Sequence, residues 1–215
     1  MQNHKTHFLE LSLELGALRF GEFELKSGRI SPYFFNAGQL STGRAAARLG
    51  RCYAAALADA DLRFDMLFGP AYKGISLVAL TAAALAEHHG LDCPYAYNRK
   101  EAKDHGEGGS SIGAAISGRV IIVDDVITAG TAVTEAVQII EAGGGVPAGV
   151  LVALDRQEVA TGSRRSAVRE LEDRAGIPVL SLVSLDDLVA HIQERPDFAQ
   201  HLPAMRAYRE RYGAT

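Results

Sequence analysis

Apolar residues at Phe8, Leu11, Leu15 and Leu18 recur at helical spacing, predicting an amphipathic helix over Phe8–Leu18 that ends near Gly16 or Gly21 and caps the core. The period then shortens. Phe20 to Leu25 alternates, and the aromatic run Tyr33-Phe34-Phe35 follows Pro32, so a small antiparallel hairpin precedes the main body. Ala45–Leu57 reads as an alanine-rich helix. Strand-length apolar runs and helical stretches alternate from there: strand Phe64–Phe68, helix Ile75–Glu87, strand Pro94–Tyr97, a glycine-rich loop, strand Val120–Val123, helix Thr131–Ala142 and strand Val146–Leu154. A helix over Val168–Arg174, a strand over Val179–Val183 and helical pieces from Leu185 to Tyr212 complete the chain. This alternation predicts an α/β fold with a central, mostly parallel sheet flanked by helices. The expected organisation is one domain over residues 1–215, with hood elements over about residues 1–40.

The run Val120–Ala132, VIIVDDVITAGTA, carries the most chemistry. A buried strand ends in two carboxylates and a small-residue turn, and Val133, Ala136, Val137 and Ile140 then continue at helical spacing. Thr128, Ala129, Gly130 and Thr131 can present N–H groups and hydroxyls at a helix N-terminus, where unpaired donors and the macrodipole favour phosphate. Asp124 and Asp125 would be repelled by that phosphate. They suit neutral hydroxyls, such as a ribose diol.

Other phosphate motifs fail on residues. Gly69-Pro70-Ala71-Tyr72-Lys73-Gly74-Ile75-Ser76 has two glycines at Walker spacing but Ile75 where the lysine must stand. Gly106-Glu107-Gly108-Gly109 follows no strand and has Ser111 in place of the last glycine of a dinucleotide fingerprint. A receiver domain carries its acid pair near its start, whereas more than half of this chain precedes Asp124.

Composition narrows the class further. With 47% hydrophobic and 22% charged residues, 215 residues suffice for one globular core. The first sixteen residues interleave charge with apolar positions, unlike a signal peptide, and the longest apolar run, Leu77–Ala86, is too short to span a membrane. A cytoplasmic location is therefore expected. A net charge of −4 argues against a nucleic-acid partner. Cys52 and Cys93 are far apart and lack metal-ligand spacing, and both are expected as reduced core residues.

Three further segments complete the candidate site. Arg99 to Ser111 carries Arg99, Lys100, Lys103 and His105 among glycines, a composition that suits a solvated surface loop or one closing over a pyrophosphate. Phe68 to Gly74 is a strand-to-helix turn with Lys73 as its cation, either structural or a second anion loop. Arg156 stands just past a strand at the sheet end of Asp124, where its guanidinium can grip a planar carboxylate or pair with Glu158.

FGEFELKSGRISPYFFNAG, FGPAYKGI, NRKEAKDHGEGG, VDDVITAGTA and LDRQE, in this order and spacing, resemble the bacterial orotate-using branch of the type I phosphoribosyltransferases over nearly the full length. The resemblance implies Mg²⁺-dependent transfer of ribose 5-phosphate from phosphoribosyl pyrophosphate to orotate in pyrimidine biosynthesis. It further implies catalytic roles for Lys26, Lys73, Lys103, Asp124 and Asp125. The donor is implied to meet Lys26, Tyr72, Lys73, Arg99, Lys100, Lys103, His105, Asp124, Asp125, Val126, Ile127, Thr128, Ala129, Gly130, Thr131 and Ala132. Orotate is implied to meet Lys26, Phe34, Phe35, Thr128 and Arg156, with at most one phenylalanine ring on the base because strand neighbours face opposite ways. No protein cage for the metal is expected; substrate and water would hold Mg²⁺. A non-proline cis peptide at Ala71-Tyr72 and a homodimer whose loops cover each other's sites are also implied. A transferase for another base and a non-catalytic regulator on this fold are the alternatives.

Overall fold

The computed structural model describes residues 3–25, 27–100, 111–127, 130–160 and 165–214. Helix α1 (Asn3–Glu14) leads into the antiparallel hairpin β1 (Leu18–Glu24) and β2 (Ile30–Phe35). The first helix thus starts earlier than its apolar spacing suggested, and Leu18 opens the strand instead of closing the helix. Pro32 is accommodated because β2 pairs with β1 alone and has a free edge.

Helix α2 (Gly43–Asp59) starts at Thr42, whose side chain accepts the Ala45 N–H at 3.2 Å. Then follow β3 (Met66–Gly69), α3 (Lys73–His89), β4 (Tyr95–Asn98), β5 (Ser111–Gly113), β6 (Arg119–Val123), α4 (Thr131–Ala142) and β7 (Val146–Asp155). Helix α5 (Ala167–Ala175), strand β8 (Val179–Ser184) and helices α6 (Leu185–Gln193) and α7 (Leu202–Tyr212) complete the fold. At the head of α6, Ser184 and Asp187 cap each other reciprocally, and Lys5 reaches Asp187 at 2.8 Å to fasten α1 there.

The strands align in the order β5-β4-β3-β6-β7-β8. All neighbours are parallel except β4 and β5. Strand β5, read from sequence as part of the glycine-rich loop, is three residues long with no apolar run to mark it. Burial alternates across the sheet: Leu67, Ile121, Val123, Leu151 and Ala153 pack with α1, α2 and α3, whereas Phe68, Ile122, Val150 and Val152 pack with Val133, Ala136 and Ile140 of α4 and Leu171 of α5. Burial on both faces explains why these strands read as continuous apolar runs. Cys52 lies in the core as expected, but Cys93 is only half-buried, because the segment before β4 runs along the surface. Among the described residues no helix is long and apolar enough to cross a membrane.

From β3 the chain proceeds through α3 to β4 on one side, and from β6 through α4 to β7 on the other. The strand order therefore reverses between β3 and β6. In a parallel sheet the carboxyl ends on either side of such a reversal part to leave a crevice, the usual ligand position.

Candidate active site

Both walls of that crevice carry the chemistry marked in the sequence. On the β3 side, Gly69 ends the strand and the chain crosses its own path at Gly74. A Cβ on Gly69 would stand 2.1 Å from the Gly74 carbonyl oxygen, and one on Gly74 would stand 2.9 Å from the Val123 carbonyl. Only hydrogen fits at either α-carbon, so close approach accounts for both glycines. Between them lies the cis peptide Ala71-Tyr72, at the expected position. The Ala71 N–H donates to Asn98 Oδ1 at 2.6 Å, which ties this loop to the end of β4. Tyr72 is 72% exposed, so no core packing occupies it.

Lys73 opens α3, a position that the helix dipole makes unfavourable for a cation. The Asp125 carboxylate opposes that penalty, pairing with Lys73 Nζ across the crevice. The lysine side chain is 57% exposed and the aspartate side chain only 9%, so the buried acid holds a cation at the mouth.

Asp124 is placed differently. Its Oδ1 accepts the Asp125 N–H at 2.9 Å, and the residue lines a cavity of about 260 Å³ with Lys100, Val126, Ile127, Gly130, Thr131, Ala132, Val133 and Glu135. Burial pushes its pKa from 3.8 up to about 6, while the hydrogen bond from Asp125 and the charge of Lys73 act in the opposite direction. A carboxyl raised in the folded state contributes stability that is fully present below its unfolded pKa of 3.8 and is lost as the pH rises through about 6. Asp124→Asn should therefore stabilise the protein at pH 8, by on the order of 2 kcal/mol after allowance for solvent screening. Thermal unfolding at pH 8 and pH 4 checks this. An equal shift at both values would refute the burial argument.

The phosphate-type turn ends at Gly130, which caps α4 in the left-handed region at φ 71°. A Cβ there would meet an Arg174 guanidinium nitrogen at 2.5 Å. Thr131, Ala132 and Val133 of the first helical turn face the cavity, as the anion-cradle reading requires. Lys100 Nζ lies 3.4 Å from Glu135 at the cavity's edge, a solvent-exposed pair that an anionic ligand could displace.

Arg156 follows the carboxyl end of β7. The Glu158 partner considered from the sequence is present, with Oε1 2.8 Å from Arg156 Nε and 2.6 Å from an Nη, but the pair is largely buried. Ser31 Oγ lies 3.1 Å from Nη2, and the guanidinium rests 4.4 Å from the Tyr33 ring centre. Burial disfavours the Arg156 charge, yet Tyr33 and Glu158 outweigh it and keep the pKa above its ordinary value. Arg29 approaches the other Glu158 oxygen at 3.6 Å, so among the described residues two guanidiniums share one carboxylate, an excess of one positive charge. A ligand carboxylate suits that surplus.

Asp124, Asp125, Val126, Ile127, Gly130, Thr131 and Ala132 thus gather at one sheet end with Tyr72, Lys73 and Lys100, and Arg99 follows β4 there. Lys26, Lys103, His105, Thr128 and Ala129 lie outside the described residues. The phenylalanines are split by strand alternation. Phe35 turns inward, 5.7 Å from Phe8, whereas Phe34 faces away from Arg156 and stacks on Phe23 at 5.5 Å. The ring that meets Arg156 is Tyr33, missed in the sequence because a buried strand tyrosine looks like ordinary core. Ser31 and Glu158 gave no signal as functional residues.

A family model described as the phosphoribosyl transferase domain matches residues 36–180. The orotate phosphoribosyltransferase of Salmonella typhimurium is 58% identical over 213 residues, covering 99% of this chain and 100% of that protein. The crystal structure of orotate phosphoribosyltransferase from Francisella tularensis superposes with a TM-score of 0.87 at 41% identity, over 96% of this chain and 99% of that one. That of the Mycobacterium tuberculosis enzyme gives 0.65 at 26% identity, over 86% and 98%. Sequence, fold and crevice agree, and the chain belongs to the phosphoribosyltransferase family, on its orotate phosphoribosyltransferase branch.

Proposed function

We propose that this enzyme transfers the ribose 5-phosphate group from phosphoribosyl pyrophosphate to orotate, releasing pyrophosphate and giving orotidine 5-monophosphate for pyrimidine synthesis in the cytoplasm. One observation carries the reading: the Asp124-Asp125 turn and the Arg156 guanidinium follow the adjacent parallel strands β6 and β7, at the same sheet end. The full-length likeness to orotate phosphoribosyltransferases supports it.

In this reading Asp124 and Asp125 orient the ribose hydroxyls, and the turn Val126 to Ala132 receives the 5-phosphate on its N–H groups. Tyr72 and Lys73 bind the pyrophosphate, with Lys26, Arg99, Lys100, Lys103 and His105 as further cations. Charge accumulates on the leaving pyrophosphate as the anomeric bond breaks, so positive groups act most strongly there. Arg156 takes the orotate carboxylate, assisted by Lys26 and Thr128. The turn's two carboxylates suit a hard cation carried mainly by substrate and water. Bound in that way, Mg²⁺ would neutralise pyrophosphate charge. Residues 1–215 act as one domain, and two copies form a dimer with shared sites.

The decisive assay is the loss of orotate absorbance with phosphoribosyl pyrophosphate and Mg²⁺, run beside uracil, hypoxanthine and adenine. Consumption of another base in place of orotate would overturn the assignment. Lys103→Ala should lower turnover about 30-fold, roughly 2 kcal/mol of transition-state stabilisation, while changing KM little. Normal turnover would remove Lys103 from the mechanism.

A further inference from the structure

Asp124 lines the cavity beside α4 whereas Asp125 pairs with Lys73 of α3, the alternation expected of consecutive residues at a strand end. The backbone between them departs from a regular ladder. Along β6 the Asp124 N–H donates to the Leu151 carbonyl at 3.0 Å. In an evenly spaced parallel ladder the next bond would run from the Ala153 N–H to the Asp124 carbonyl. Instead the Ala153 N–H goes one residue further, to the Asp125 carbonyl at 2.9 Å. The ladder departs from even spacing at the acid pair, although Val126 again pairs with Leu154 in the register set by Val123 and Leu151, and among the described residues the Asp124 carbonyl is left without a strand partner. A backbone carbonyl in this environment needs a donor.

Tyr53 supplies it. This residue of α2 is 1% exposed, and its hydroxyl donates to the Asp124 carbonyl at 2.9 Å. The ring is fixed within the core formed by α2, α3 and the sheet, so the hydroxyl has little freedom to move. We propose that Tyr53 is a positioning residue for the transfer reaction, bracing the acid turn at this irregular step so that Asp124 and Asp125 meet the ribose hydroxyls together. It touches no substrate and acts through the backbone. The inference rests on the ribose role given to the acid pair above.

Tyr53→Phe removes the hydroxyl and keeps the ring. The folded variant should show a KM for phosphoribosyl pyrophosphate raised about tenfold, the scale of one lost hydrogen bond, with KM for orotate and inhibition by pyrophosphate alone within about twofold of wild type. Ribose 5-phosphate binding, measured by calorimetry, should weaken by the same factor. An unchanged donor KM, or equal changes in every constant, would overturn the bracing role. If the Phe variant does not fold, Tyr53→Met, which fills the space without a hydroxyl, is measured in the same way. Wild-type protein that binds ribose 5-phosphate but does not consume orotate would sink the functional reading alone. Calorimetry of the variant would still decide the role of Tyr53.

Discussion

Truncating Arg156 to alanine is expected to raise KM for orotate between about 100- and 1000-fold while KM for phosphoribosyl pyrophosphate stays within about twofold. The guanidinium is held before any ligand arrives, by Glu158 on two nitrogens, Ser31 on a third contact and the Tyr33 ring beneath. Little side-chain entropy remains to be lost on binding, which makes the loss large. The variant should also be about 3 kcal/mol less stable, because among the described residues Glu158 keeps only Arg29, at 3.6 Å, as counter-ion. The two effects separate in the double variant Arg156→Ala, Glu158→Gln, which should recover stability without recovering orotate affinity. Steady-state kinetics on both substrates and thermal unfolding supply the measurements. Equal losses for both substrates would remove Arg156 from acceptor recognition.

Gly69→Ala should have a still larger effect on the fold. The added methyl would lie 2.1 Å from the Gly74 carbonyl oxygen and 2.7 Å from a Val78 methyl. Neither obstacle is the free end of a flexible side chain. The carbonyl belongs to the first turn of α3, whose Gly74 N–H bonds the Pro70 carbonyl at 3.0 Å, so relief requires the helix to move off the sheet. A loss above about 4 kcal/mol is expected, within the range of severe backbone and packing defects, with insoluble or inactive protein as the outcome. Gly43→Ala provides the control. Nothing lies within 4 Å of a Cβ there, and the residue is helical, so the change should be neutral or stabilising by up to about 1 kcal/mol. A soluble Gly69→Ala with wild-type melting temperature would refute the crossing argument.

The sequence exposed those elements whose residues answer to a single periodic demand. Strands β3, β6 and β7 are covered on both sides, so Met66 to Phe68, Val120 to Val123 and Val150 to Leu154 are apolar without interruption. The acid pair and the small-residue turn were legible because few structural roles need Asp-Asp before Thr-Ala-Gly-Thr. What stayed hidden depends on pairing between distant segments. Ser111 to Gly113 becomes a strand only because Tyr95 to Asn98 offers an edge. Tyr53, Ser31, Tyr33 and Glu158 have unremarkable local contexts, and each acquires its role from a partner more than sixty residues away or, like Glu158, from burial beside Arg156. The inward face of β2 was equally unreadable, since Phe34 and Phe35 differ only in register.

Strand β7 ties the acid turn to Arg156. It bonds the acid turn through Leu151 and Ala153, and Arg156 follows only three residues beyond Ala153, about 10 Å of extended chain. On the roles proposed above, a single covalent ruler sets the separation between donor and acceptor. Its interior is locked between β6 and β8, but the residues past Asp155 leave the sheet. On the same roles, substitutions in that overhang would alter the grip on the base while leaving the donor's seat untouched.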